Sequence, residues 1–195
     1  MKQKIVMQLV ENASIIFEGG PPMSAKAISS WHVGVAAEAF AAALFARYGY
    51  YVSVQYGANQ PEYDLITESQ GKMLKISVKG SQDGSWGLTQ SFKKKGVSYH
   101  EAIDRWLESH HKRTIFCLVQ FKGTTPHEMP RVYVASPEEI AERMKQSAGG
   151  RGDTILYEEH VWGPKAAGYG TVDRIPEEWA MSSDRLQAMF EKYGK

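Results

Sequence analysis

What the chain has little of narrows its chemistry first. There is a single cysteine among 195 residues, so no disulfide framework holds the fold. That residue, Cys117, sits inside the apolar run Ile115-Phe116-Cys117-Leu118-Val119 and reads as a small buried hydrophobe, not a nucleophile. A reducing, cytoplasmic setting is the expectation. No apolar stretch approaches the roughly 20 residues of a membrane span. The opening residues carry Lys2 and Lys4 but are then interrupted by Gln8, Glu11, Asn12 and Glu18, so no signal-peptide core and no membrane association is expected. Charge of one sign is lacking too: 23 Lys and Arg against 22 Asp and Glu leave a net charge of +1. A broadly basic surface is thereby excluded, and any contact with nucleic acid has to come from local charge. The histidines His32, His100, His127 and His160 show no metal-ligand spacing. The pair His110-His111 falls at the expected end of a helix, where a cation suits the dipole. Internal repeats and low-complexity tracts are missing as well.

What is present is an ordinary globular composition, 43% hydrophobic and 23% charged, in a length that fits one domain with appendages. Residues 1–22 close in Gly19-Gly20-Pro21-Pro22 and read as an N-terminal appendage, residues 23–135 as the core, and 136–195 as a C-terminal extension packed on it. From Trp31, apolar residues at Val33, Ala36, Ala37, Phe40, Ala41, Leu44, Phe45 and Tyr48 recur at helical spacing until Gly49 stops them. Three extended segments follow, Tyr50–Tyr56, Glu62–Thr67 and Lys72–Lys79, separated by the break Gly57–Pro61 and a turn near Gly71; their closeness implies an antiparallel meander. Residues 81–97 read as an irregular loop with a basic tip, Lys93-Lys94-Lys95. Ser98-x-x-Glu101 is a capping box that opens a second helix. Thr114–Phe121 reads as a strand buried on both faces, and Arg131–Ala135 as a shorter one. Ser136-Pro137-x-Glu139 opens a third helix. A strand at Thr154–Tyr157, a glycine-rich loop over Gly163–Gly170 and a helix over Ser183–Tyr193 complete the tail. The order predicts an α/β fold with a mixed sheet between helices.

Hydrolysis of a phosphodiester needs a divalent cation held by oxygens, to polarise the phosphate and activate a water, and a further positive group near that water. Asp64, in Pro61-Glu62-Tyr63-Asp64-Leu65-Ile66, is placed mid-strand among residues expected to be buried, where a carboxylate is costly unless paired or metal-bound. Fifteen positions later Lys79 ends the next strand. On that strand Leu74, Ile76 and Val78 point one way and Lys75, Ser77 and Lys79 the other. Glu38 is the only acid between Trp31 and Arg47 and borders the apolar stripe of Ala41 and Phe45, so a helix packed on the sheet aims it toward the strand ends.

A helix with one inward Glu38, a strand with Asp64, a hairpin to Ile76-Ser77-Val78-Lys79-Gly80, then a helix and a buried strand, together resemble the PD-(D/E)xK nuclease superfamily, to which Holliday-junction resolvases and many restriction endonucleases belong. The resemblance spans Trp31 to Phe121, about half the chain. It implies a restriction-endonuclease-like four-stranded mixed sheet in αβββαβ order, with an extra C-terminal strand and helices. It implies Mg²⁺ or Mn²⁺ held by Asp64, Glu38 and the carbonyl of Val78, with Lys79 and Ser77 completing the catalytic group. DNA is then the implied substrate, contacted by Lys75, Lys93, Lys94 and Lys95, and a homodimer suits cleavage of two strands. One position departs from the pattern. The acid or glutamine of the superfamily, two residues before the lysine, is Ser77 here, a poorer ligand for a hard cation. The alternative reading is therefore a nuclease fold that binds nucleic acid or protein without cutting. Glu62, on the face of Asp64 by the period of two, is a further candidate to make up the missing acid.

Overall fold

The computed structural model describes residues 28–55 and 62–195; the N-terminal appendage and the break at Gly57–Pro61 lie outside the described residues. The first helix, α1, spans Ser30–Arg47, and Gly49 ends it in the left-handed region at φ 87°. Strands β1 (Tyr51–Val54), β2 (Leu65–Ser69) and β3 (Lys72–Ser81) form the expected antiparallel meander. Its second turn is Gln70-Gly71, both at positive φ (52° and 76°), which is the backbone a tight hairpin with right-handed strand twist requires. Helix α2 (Tyr99–Glu108) then carries the chain to β5 (Thr114–Gln120), which runs parallel to β3. Every residue of β5 is buried, as its unbroken apolar run implies.

The sheet is mixed and has five strands, ordered β1-β2-β3-β5-β6. The fifth, β6 (Arg131–Ala135), pairs antiparallel along β5. Part of its outer edge is covered by the 180–181 segment, with Met181 N–H donating to the Val132 carbonyl at 2.8 Å. Helices α3 (Pro137–Gln146) and α4 (Ser183–Tyr193) follow, making four α-helices among the described residues. The capping boxes expected at Ser98/Glu101 and Ser136/Glu139 are both formed. None of these helices is long and apolar enough to cross a membrane.

Period-two alternation divides the core. Leu65, Leu74, Ile76, Val78, Cys117 and Val119 face α1 and α4, whose Ala37, Ala41, Phe45, Leu186 and Phe190 cover them. Phe116, Leu118 and Ala135 face Ile103 and Trp106 of α2 and Ile140 and Met144 of α3. The stretch expected as an irregular loop after β3 contains a strand, β4 (Ser85–Gly87), paired with β7 (Ile155–Tyr157). A second small ribbon joins β8 (Glu159–Val161) and β9 (Val172–Arg174). Three-residue strands carry too few positions for a periodic signal, and the sequence pattern had shown only the β7 segment.

Helix and sheet approach closely where α1 crosses β3. A methyl group added to Gly80 would lie 2.8 Å from the Ala37 Cβ and 2.8 Å from the Val33 carbonyl oxygen, distances that force helix and strand apart. Gly34 of the same helix has nothing within 4 Å of such a methyl. Gly80→Ala is therefore expected to lower the urea-unfolding free energy by about 1–3 kcal/mol through overpacking, while Gly34→Ala raises it by up to about 1 kcal/mol through helix propensity. Equal effects at the two positions would contradict this packing.

Candidate active site

The site grows out of the mouth of the β2–β3 hairpin. Asp64 stands one residue ahead of β2, not mid-strand. Its N–H donates to the Ile76 carbonyl at 2.8 Å, although Ile76 is already the register partner of Leu65. Two consecutive residues thus oppose one, the arrangement of a β-bulge, which takes the first of them out of the regular alternation and re-aims its side chain. The Asp64 carboxylate turns back along β3, where Val78 N–H donates to its Oδ2 at 2.6 Å. A charge-assisted bond of this kind locks one carboxylate oxygen, and no described residue donates to the other. In a strand the N–H and C=O of one residue point to the same edge. The Val78 carbonyl accordingly opens on the side of Asp64, and no described residue outside the strands donates to it.

Glu38 reaches this point from above. The buried line of α1 is Val33, Ala37, Ala41 and Phe45. Phe40, on one flank of that line, packs on Phe121 at 5.7 Å between ring centroids, beyond β5. One helical position round from Ala37 on the other flank lies Glu38, over the β2 side of β3. Its carboxyl pKa is raised, first by desolvation and then by the Asp64 carboxylate, while the Lys79 ammonium pulls it down. Asp64 and Lys79 therefore each stand within electrostatic reach of Glu38. Lys79 is exposed, and its backbone is pinned because Trp86 Nε1–H donates to its carbonyl at 3.0 Å.

The remaining candidates are placed as follows. Ser77 is buried, 2% exposed, on the strand between Asp64's partner Ile76 and Val78. Glu62 is turned away: its Oε1 accepts from the His111 N–H at 2.8 Å, so it does not supply a third acid. Lys75 lies four residues before Lys79, about 13 Å along an extended strand, with its ammonium 4.8 Å from the centre of the Tyr63 ring. Lys93, Lys94 and Lys95 lie in the loop before α2, at the carboxyl end of the parallel pair β3–β5. Trp86 is buried (3% exposed) and cannot stack on a base. Gly80, which sets the height of α1, was not singled out as a site residue by the sequence pattern; a glycine directly after the lysine was the available signal.

No group of three or more His, Cys, Asp or Glu side chains able to hold a metal occurs among the described residues. Two carboxylates and a backbone carbonyl are still a donor set made only of oxygen, and Mg²⁺ commonly takes one or two carboxylates with water and substrate phosphate filling the rest. A carboxyl whose proton affinity is raised by burial and by a neighbouring carboxylate, as at Glu38, also favours a divalent cation beside it. The residues fit such an ion in donor type. An apolar concavity of about 260 Å³ on the far flank of α1, lined by Val33, Ala36, Phe40 and Phe121, contains none of the three charged groups and offers no means of polarising a phosphate. Comparison with protein-family models, with curated proteins and with solved structures finds no significant match.

A carboxyl whose folded pKa is raised contributes stability that is fully present below its ordinary value of 4.5 and lost as the pH rises through the folded value. In EDTA-containing buffer Glu38→Gln is therefore expected to melt at a higher temperature than the unsubstituted protein at neutral pH, and the gap is expected to close below about pH 4.5. A gap that stays constant across this range in thermal unfolding would show that the surroundings of Glu38 do not raise its carboxyl pKa.

Proposed function

We propose that this chain is a metal-dependent endonuclease that hydrolyses DNA phosphodiester bonds, built on a fold of the PD-(D/E)xK type with Glu38, Asp64 and Lys79 at its centre. The observation that carries the reading is the hairpin mouth where Val78 N–H holds the Asp64 carboxylate in one orientation, beside Glu38, whose carboxyl pKa is raised by desolvation and by Asp64 and lowered by Lys79. The order of helix, antiparallel meander, crossover helix and parallel strand supports it as well. Bound Mg²⁺ or Mn²⁺ supplies the charge that polarises a phosphoryl oxygen and makes water a better nucleophile. Asp64, pre-oriented by Val78, and Glu38 would hold that ion together with the Val78 carbonyl. The Lys79 ammonium, exposed and on a pinned backbone, orients the attacking water and offsets the negative charge that grows on the phosphorus oxygens.

Ser77 favours a second reading, a binding module on the same fold without hydrolysis, since the position that supplies a third carboxylate in the superfamily holds a buried hydroxyl here. The two readings separate in one set of assays. Under the nuclease reading the protein nicks supercoiled plasmid with Mg²⁺ or Mn²⁺ and not with EDTA, and Asp64→Ala or Lys79→Ala lowers the rate by about 100-fold or more, the scale of losing one electrostatic stabiliser. Mg²⁺ also raises the melting temperature of the unsubstituted protein and not of Asp64→Asn. Nicking that is absent, or that survives Asp64→Ala undiminished, would leave the binding module as the surviving reading.

A further inference from the structure

Away from the Asp64 site, three chain segments meet at the beginning of α2. Residues 84–100 contain the lysines 93–95 and no acid, residues 147–152 contain Arg151 and no acid, and residues 161–171 contain Lys165 and no acid. The fold brings them together tightly. His100 Nε2 lies 3.0 Å from the Gly150 carbonyl oxygen. A methyl added to Gly152 would lie 3.1 Å from the Tyr99 Cβ, and one added to Gly168 would lie 2.3 Å from the Ala148 carbonyl carbon. The Arg151 guanidinium is stacked between the Tyr99 ring, 4.6 Å away, and the Trp162 ring, 5.2 Å away, and the Lys93 ammonium stands 5.1 Å from the Tyr99 ring centre.

Buried Asp173 makes this platform rigid. Its carboxylate accepts from Trp162 Nε1–H at 2.7 Å and Ala148 N–H at 3.1 Å, and pairs with Arg143 at 3.0 Å. Arg151 itself donates to Asp153 at 2.9 Å and to the Gly152 carbonyl at 3.2 Å, which uses two of the five N–H groups a guanidinium carries. Its outer side opens, with Gly163, Pro164, Lys165 and Ala166, on a solvent-facing bay of about 570 Å³. On the same loop Tyr169 is 67% exposed. Lys94, Lys95 and Lys165 are exposed too, and none of them forms a salt bridge within the described residues.

We infer that the C-terminal extension and the loop before α2 together form a second contact surface for the phosphate backbone of a nucleic acid, with Lys94, Lys95, Arg151 and Lys165 meeting phosphates and Tyr169 stacking on a base. The choice of nucleic acid over other polyanions rests on the nuclease reading. It is favoured by the position of the surface at the carboxyl end of β3 and β5, the end at which Lys79 stands, and by an exposed aromatic side chain amid cations. An open bay with fixed cations and one free ring suits a strand with charges outside and flat bases inside. In a chain of net charge +1, four lysines that form no salt bridge among the described residues, Lys93, Lys94, Lys95 and Lys165, beside an Arg151 paired with Asp153, are the local concentration that phosphate binding requires.

Fluorescence anisotropy with a labelled 20-base-pair DNA duplex and the full chain, in EDTA, tests the inference. The triple variant Lys94→Ala/Lys95→Ala/Lys165→Ala is expected to bind about 10-fold or more weakly at moderate salt, and its slope of log affinity against log salt is expected to be shallower by about 2–3, near 0.9 per lost phosphate contact. Replacing the same lysines by arginine restores both. Tyr169→Ala is expected to weaken binding to a labelled single strand several-fold with the salt slope unchanged. An unchanged affinity and slope in the triple variant overturns the surface. Displacement of the DNA by polyglutamate at equal charge concentration overturns the nucleic-acid assignment. The nuclease reading is judged separately: salt-dependent binding lost in the triple variant of a protein that never nicks DNA upholds the surface and sinks the nuclease, whereas Asp64-dependent nicking that the triple variant retains in full, with full affinity, does the reverse.

Discussion

The contact between α1 and β3 at Gly80 governs much of what the rest of the molecule can do. Small side chains on both sides, Ala37 and Ala41 on the helix and glycine on the strand, let two backbones approach until an added methyl would strike the opposing main chain. A glutamate side chain is short. Glu38 comes within electrostatic reach of Asp64 and Lys79 because the helix that carries it is seated low on the sheet and turned so that its Phe40 flank leans toward Phe121 and its Glu38 flank toward β2. A bulkier residue at position 80 would lift the helix, and the acid with it.

Beneath that helix the strand pair is irregular where irregularity is useful. The bulge at Asp64 removes one carboxylate from the period-two pattern and lets Val78 N–H capture it. The result is a half-buried Asp64 beside a desolvated Glu38, an arrangement that works against stability when both carboxylates are ionised. Conflicts of this kind collect at functional positions, where a local rule is broken and the surrounding structure is stable enough to hold it. The buried indole of Trp86, bonded to the Lys79 carbonyl, is one such support, and the paired edge of β5 is another.

The last third of the chain is divided between two tasks. Helix α4 completes the core on the α1 face with Leu186, Met189 and Phe190, and Arg185 ties it across to α3 through Glu139 at 2.7 Å and to the Val134 carbonyl at 3.0 Å. The ribbons β4–β7 and β8–β9, with the glycine-rich segments between them, instead extend the α2 face. They gather Arg151, Trp162 and Tyr99 into one stack around a buried Asp173. A protein with almost no net charge thus gathers the Lys93-Lys94-Lys95 run, Arg151 and Lys165 into one local cationic surface.

How much of this was legible beforehand depends on how many residues carry each signal. Helices α1 to α4 repeat their pattern over ten or more residues and bear caps at their ends, and β5 announces itself by an unbroken apolar run. The meander and the candidate acids followed from these and from turn residues. By contrast the three-residue strands β4, β8 and β9 have no room for a period, and β6 joined the main sheet through a register that only the whole fold sets. Asp64 was expected inside a strand because alternation says nothing of a bulge, and Glu62 was expected beside it for the same reason. Local chemistry, then, was the part the amino-acid order determined by itself: which segments become helix or strand, where they stop, that Glu38 and Asp64 are acids in an apolar context, and that Lys79 comes near the end of the strand after them. The distances between those charges, the burial of Ser77 and Trp86, and the meeting of Arg151 with Tyr99 were decided by tertiary packing, since each depends on groups far apart in the chain whose separation no local propensity encodes.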